Sequence, residues 1–144
     1  MSGCTFIGHR DTPFAVKDSL RQQITDLINN QGVKRFFVGN QGNFDRMVYG
    51  VLCEMERQHP IEIRVVLAYL NEKVDGYDMS KTVFPDCLDK TPPRFAISKR
   101  NQYMIEKSNY MICYVDNSQT NAYVFAEKAK KKGLKIFNLG QITI

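Results

Sequence analysis

Apolar residues in this chain follow two rhythms that alternate from one end to the other. Short unbroken apolar runs, suited to strands buried on both faces, are interleaved with segments in which apolar residues recur every three or four positions, the period of an amphipathic helix. Cys4 to Gly8 reads as a first strand. Val16, Leu20, Ile24, Leu27 and Ile28 fall on one face of a helix predicted from about Val16 to Asn30, with Gly32 where a C-cap belongs. Lys34 to Val38 forms the second strand. Met47, Val48, Val51, Leu52 and Met55 line the inner face of a helix from about Asp45 to Gln58; Pro60 stops it, and Ile61 to Leu70 supplies a longer strand. Residues 71 to 97 break the rhythm: Asn71-Glu72-Lys73-Val74-Asp75-Gly76 and Thr91-Pro92-Pro93 are turn-rich. A loop of that size in a small domain is usually functional or mobile. The pattern returns with a helix near Ser98 to Lys107, a strand from Tyr110 to Val115, a helix from Thr120 to Lys132 and a last strand from Leu134 to Leu139.

Strands alternating with helices predict an α/β layered fold with a mainly parallel sheet of about five strands. With 144 residues, no internal repeat and no low-complexity linker, residues 1–144 are expected to form a single domain.

In such folds ligands collect beyond the carboxyl ends of the strands. Three polar clusters fall at those ends: Gly8-His9-Arg10-Asp11, Gly39-Asn40-Gln41-Gly42-Asn43-Phe44-Asp45, and Asp116-Asn117-Ser118-Gln119-Thr120. The second carries most of the functional expectation. An apolar strand ends in a loop with two glycines and a helix follows, an order that sets backbone N–H groups and a helix N-terminus where a phosphate can be held. Asn40, Gln41 and Asn43 add amides able to bond phosphate or ribose hydroxyls, while Asp45 also suits a plain N-cap. The loop lacks the Gly-Lys-Ser/Thr ending of a P-loop and the Gly-x-Gly-x-x-Gly of ordinary dinucleotide folds. At the first strand, Gly8 would allow a ligand to approach the backbone, and Arg10 offers a planar fork for phosphate or carboxylate; a solvent-facing loop is the plainer alternative.

Pro92-Pro93-Arg94-Phe95-Ala96-Ile97-Ser98-Lys99-Arg100-Asn101 joins a rigid lead-in to a helix start. Lys99, Arg100 and Asn101 are predicted in the first turn, where positive charge opposes the helix dipole and an anion would compensate it. Alternatively these are exposed cations bonded to Asp86 or Asp89. Asp116 is a candidate for a ribose contact, and Ser118 or Thr120 for the cap of the following helix. Tyr69, Tyr77 and Phe44 are candidates to stack on a base, although aromatic residues more often fill cores.

The formal charge of +5, much of it from Lys128, Lys130, Lys131, Lys132 and Lys135, suits an anionic small molecule. No aromatic interleaving or reading helix accompanies those lysines, which argues against nucleic acid as the partner. Cys4, Cys53, Cys87 and Cys113 are spread one per segment without a Cys-x-x-Cys pair, and reduced thiols are expected. With only His9 and His59 beside them, no metal site is expected. No apolar run is long enough to span a bilayer, and the start of the chain lacks a secretory pattern, so a cytoplasmic protein is expected.

Cys-Thr-Phe-Ile-Gly-His-Arg-Asp, then Phe-Val-Gly-Asn-Gln-Gly-Asn-Phe-Asp, then Pro-Pro-Arg-Phe-Ala-Ile-Ser-Lys-Arg-Asn-Gln-Tyr-Met together resemble the small SLOG-family proteins of Firmicutes and their phages, in order and over nearly the whole chain. The resemblance implies a Rossmann-like three-layer sandwich that binds a nucleotide-derived ligand. It matches Gly39, Gly42 and Asp45 to the family's glycine-rich phosphate loop, Gly8, His9 and Arg10 to its first-strand tip, and Arg94, Lys99, Arg100 and Asn101 to its basic stretch. Thr120-Asn121-Ala122 stands where relatives show a second small, glycine-containing turn, and that glycine is missing here. The hydrolase branch carries Pro-Gly-Gly-x-Gly-Thr followed by a glutamate, which this chain also lacks; Glu54, Glu56 and Glu127 lie about two or more turns beyond their loops. The expectation is therefore non-catalytic binding of a nucleotide or ADP-ribose derivative, as a sensor or as a sponge for a cyclic nucleotide immune signal, by a homo-oligomer that needs no cofactor. The alternative is an enzyme acting on N-glycosidic bonds, and a third reading, from relatives that assist DNA processing, is a nucleic-acid accessory protein.

Overall fold

The computed structural model of the chain describes residues 2–70 and 76–144; the stretch 71–75 of the expected loop lies outside them. Six strands form the central layer: β1 (Gly3–Gly8), β2 (Arg35–Val38), β3 (Glu62–Val66), β4 (Thr82–Val83), β5 (Tyr110–Tyr114) and β6 (Lys135–Asn138). Their order in the sheet is β4-β3-β2-β1-β5-β6, and every pairing is parallel. The helices are α1 (Lys17–Gln31), α2 (Gly42–Glu56), α3 (Pro93–Glu106) and α4 (Asn121–Lys132).

Alternation along each strand divides the core between the two sheet faces. Cys4, Phe6, Phe36, Val38, Ile63 and Val65 join Leu20, Ile24 and Leu27 of α1 and Phe44, Val48, Val51 and Leu52 of α2 in one buried cluster. Met111, Cys113 and Val115 join Ala122, Phe125, Ala126 and Ala129 of α4 and Ile105 of α3 in another, while Phe37 and Val66 meet Met104 of α3 in a smaller one. With apolar side chains on both faces, the strands read as unbroken runs, which is why the sequence shows them so clearly.

The α/β architecture and the parallel sheet are as expected; the strand count and several boundaries are not. β4 is an added edge strand of two residues, held by Val65–Thr82 and Val66–Val83 pairing. It lies within the stretch read as a loop, which also contains short 3-10 turns at Met79–Lys81 and Asp86–Leu88. The third strand ends at Val66 rather than Leu70. α2 begins at Gly42 rather than Asp45, and α3 at Pro93 rather than Ser98, with proline in the first turn where its missing N–H costs nothing. Gly32 does cap α1, in the left-handed region at φ 66°.

The chain adds β2, β3 and β4 outward on one side of β1, then returns across β1 to place β5 and β6 on the other. The crevice between the tips of β1 and β5 is thus the point where the strand order reverses. Asn138, the last residue of β6, ties the chain that follows it to the end of β5. Its Oδ1 accepts from Val115 N and Gly140 N, both at 2.9 Å, and its Nδ2 donates to Val115 O at 3.0 Å and Ile142 O at 2.7 Å. Asn138→Ala leaves those backbone groups unpaired, so a loss of about 2 to 3 kcal/mol in a urea titration is expected.

All four cysteines are free; Cys4 and Cys113 are buried, Cys53 is half-buried and Cys87 exposed. Among the described residues, no helix is long and apolar enough to cross a membrane, and no group of three or more His, Cys, Asp or Glu is placed to hold a metal ion.

Candidate functional site

The tip of β1, the turn from β2 into α2, the middle of α3 and the start of α4 converge on a cavity of about 290 Å³ beside the point where the strand order reverses. Ile7, Gly8, His9 and Arg10 reach it from β1 and Gln41 and Asp45 from the start of α2. Ile97, Arg100 and Asn101 reach it from α3, and Thr120, Asn121 and Ala122 from the start of α4.

Close packing shapes the β2–α2 connection. Gly42 lies at φ 88°, and a methyl group on it would come 2.7 Å from Arg10 Cα. Asn43 N donates to Arg10 O at 2.9 Å, and Arg10 Nη2 reaches Gln41 Oε1 at 3.4 Å, so the β1 and β2 tips are laced together. Asp45 belongs to the first turns of α2 and turns back, its Oδ2 accepting from Gln41 N at 2.9 Å, like the returning half of a capping box. It is therefore an anion on the N-terminus of α2, although Gln41 holds the N-cap position. Two of the amides expected to hold phosphate are thus already bonded within the chain.

Asp45 and Arg100 form the polar floor of the cavity, 8% and 2% exposed. A methyl group on Gly39 would lie 2.8 Å from Arg100 Nη1 and 2.9 Å from Asp45 Oδ2, so glycine is required where both side chains close over the strand tip. Arg100 Nη1 donates to Val66 O at 3.1 Å, and its Nε to Asn101 Oδ1 at 2.9 Å. Burial pushes the Asp45 carboxyl up to about 6; the charge of Arg100, the Gln41 N–H and the charge of Arg10 offset only part of that effect.

His9 serves as a brace. Its Nε2 accepts from Asp116 N at 3.0 Å, so the ring proton sits on Nδ1, and the ring meets Tyr114 edge-on at 5.7 Å. Thr12, almost wholly buried, donates its hydroxyl to His9 O at 2.6 Å and closes the turn. Thr120 is the cap of α4, its Oγ1 accepting from Tyr123 N at 3.3 Å.

Other candidates lie elsewhere. Phe44 has no exposed surface and packs under Gly8, where a methyl group would come 2.4 Å from its Cγ; it is a core ring and has no face to offer a base. Gly8 is therefore needed for Phe44, before any ligand is considered. Arg94 and Lys99 are exposed on α3 and do not line the cavity; Arg94 lies over the Phe95 ring at 4.7 Å. Because α3 starts at Pro93, Lys99, Arg100 and Asn101 lie beyond its first turn, and Arg100 is buried rather than an exposed cation. Asn40 and Asn43 do not line the cavity, and Asn40 Oδ1 is buried without a hydrogen-bond partner among the described residues. Asp116 borders a second cleft of about 460 Å³, which shares His9 and Thr120 with the first, and it accepts from Gln141 N at 3.2 Å. Tyr69 donates to Pro93 O, and Tyr77 packs on Tyr49 at 4.6 Å.

Ile7, Ile97, Asn121 and Ala122 line the cavity without having been singled out as site residues. Helical spacing carried a signal for the α3 wall. Ala96, Arg100 and Met104 recur at four-residue intervals, and Ile97, Asn101 and Ile105 do the same, so Arg100 and Asn101 lie on inward-facing stripes.

No family model matches the chain, and no curated protein matches it. Among solved structures, it superposes on the X-ray structure of DNA processing protein A (DprA) from Streptococcus pneumoniae with a TM-score of 0.72 at 12% sequence identity. The match covers 96% of this chain and 50% of that one, so the chain spans half the length of this neighbour. At that identity the likeness is one of fold, and the fold is Rossmann-like.

Proposed function

We propose that the cavity at the tips of β1 and β5 binds a nucleotide or an ADP-ribose derivative, and that the protein acts as a SLOG-type sensor or sponge without turning the ligand over. The observation that carries this reading is the buried pair of Arg100 and Asp45 facing a cavity where the strand order reverses. Asp45 is buried at the floor of an open space with only Oδ2 hydrogen-bonded among the described residues, an arrangement that an occupant donating to Oδ1 would complete. Arg10 and the first turn of α4 at Asn121 and Ala122 are assigned the phosphate, because the start of α2 already carries Asp45. Glu54 is bound to Arg21, Glu56 to Lys81, and neither they nor Glu127 line the cavity.

One observation favours the enzymatic alternative. Asp45 is an acid in the cavity whose carboxyl titrates near 6, a value suited to proton transfer on an N-glycosidic bond. The name of the structural neighbour adds a third reading, DNA processing.

Native mass spectrometry with ADP-ribose, cyclic ADP-ribose, adenosine monophosphate and cyclic dinucleotides separates these readings and also counts subunits. A ligand retained and recovered intact is the expected result, with Arg10→Ala weakening it by about ten-fold, the worth of a charge-assisted hydrogen bond. Recovery of base and sugar phosphate would establish the enzyme instead. Steeply salt-dependent binding of single strands, with no small ligand bound, would point to nucleic acid.

A further inference from the structure

We infer that the floor of the cavity receives a sugar hydroxyl rather than a phosphate oxygen, and that Asp45 makes the site prefer ribose to deoxyribose. This rests on the reading of the cavity as a nucleotide site. The argument comes from which atoms the floor leaves for a ligand. Arg100 Nε donates to Asn101 Oδ1, which fixes the amide so that its donor, Nδ2, is the atom without a hydrogen bond among the described residues. Asp45 Oδ2 is taken by Gln41 N, and Oδ1 has no hydrogen bond among the described residues. The Arg100 charge is set against that of Asp45, and its Nη1 and Nε already donate to Val66 O and Asn101 Oδ1, so the floor presents a carboxylate acceptor from Asp45 and a neutral amide donor from Asn101, both side chains lining the cavity.

An ionised phosphate oxygen can only accept, so beside Asp45 it would meet a like charge with no proton to share. A hydroxyl donates and accepts at once, and it satisfies both atoms: its proton goes to Asp45 Oδ1 and its lone pair to Asn101 Nδ2. The start of α2 reinforces the choice. The amides of Gln41 and Asn43 are already bonded, and the Asp45 carboxylate occupies the anion position of that helix. The pentose is thus directed to the tip of β2 and the phosphate toward Arg10 and α4. A deoxyribose lacking the matching hydroxyl would leave a buried carboxylate oxygen without a donor, a deficit that polar sites penalise strongly.

Isothermal titration of adenosine monophosphate and ADP-ribose, each beside its deoxyribose counterpart, tests this. Wild-type protein is expected to prefer the ribose forms by about ten-fold, one hydrogen bond to a charged acceptor. Asp45→Asn, whose single oxygen is held by Gln41 N and which turns a second amide donor toward the sugar, is expected to bring the two sugars to within about two-fold of each other, and Asp45→Ala to do the same, ribose affinity falling further than deoxyribose affinity in both. Equal binding of both sugars by wild type, or equal weakening of both by the Asp45 variants, overturns the inference and leaves the nucleotide site intact. Absence of binding by all four ligands and by the cyclic nucleotides of the mass-spectrometry panel overturns the nucleotide site and this inference with it.

Discussion

Asp45→Asn is expected to make the protein more stable at neutral pH, by on the order of 3 kcal/mol. In the fold the carboxyl titrates near 6, against an ordinary value of 3.8, and burial is the main cause. Between those two values the folded chain holds a proton that the unfolded chain has already released. Stability therefore falls as pH rises through that interval and is lowest above it. Below the ordinary value both states are protonated, and the group costs the fold nothing through ionisation. An asparagine is neutral throughout and keeps an oxygen for Gln41 N, so its advantage is largest at pH 7 and fades toward pH 4. It gives up the attraction to Arg100, but that attraction only offsets part of the burial cost. For a chain of this length the thermal midpoint at pH 7 rises by about 6–12 °C. Thermal unfolding of both proteins from pH 4 to 8 gives the comparison, and a variant that melts lower at pH 7 would show that the pairing with Arg100 outweighs desolvation.

This cost falls at the same atom that is assigned the ligand's hydroxyl. A donor placed on Asp45 Oδ1 stabilises the ionised form, so ligand binding and the carboxyl's proton compete. Wild-type affinity for ribose ligands is then expected to fall below about pH 6, where Asp45 is protonated, while Asp45→Asn stays flat across the same range. A titration series at fixed ionic strength reads this directly.

Most of the architecture was legible because each strand carries apolar residues on both faces, as at Phe36-Phe37-Val38, and each helix shows a stripe, as at Leu20, Ile24 and Leu27. β4 was not legible because two residues carry no period, and its pairing is decided by β3. Helix starts were misplaced where local preference and tertiary context disagree. Glycine at 42 and proline at 93 are read as breakers from sequence, yet both occupy first-turn positions where their special backbones fit. The candidate cavity was legible in part, since Gly8, His9, Arg10, Gln41 and Thr120 from the three polar clusters line it, while Asp116 and Asn117 border the second cleft instead. The division of labour within it was not. Arg100 reads as one of several surface cations until its stripe on α3 is considered, and Asp45 reads as a cap until its burial is known.

The glycines show the same ambiguity most clearly, and Gly8 allows a decisive test. Gly8→Ala is expected to destabilise the fold by about 3 kcal/mol, the upper part of the range for overpacked cores. The added methyl would lie 2.4 Å from Phe44 Cγ, 2.5 Å from Cδ2 and 2.8 Å from Cβ, all far inside van der Waals contact. The ring has no exposed surface and is packed in the main core cluster, so it has nowhere to retreat. Gly8 itself is held in the ladder against Tyr114, which prevents the backbone from yielding instead. Phe44→Leu alone loses part of a ring and costs about 1 kcal/mol, but it also opens the space that the new methyl needs. The double variant is therefore expected to be more stable than the sum of the two single costs allows, by at least about 1 kcal/mol. If Gly8 instead serves only the approach of a ligand, Gly8→Ala would melt with wild type, lose binding alone and show no coupling to Phe44. Denaturant melts of the four proteins in the cycle, with ADP-ribose titrated into each, distinguish a glycine required by the core from one required by the ligand.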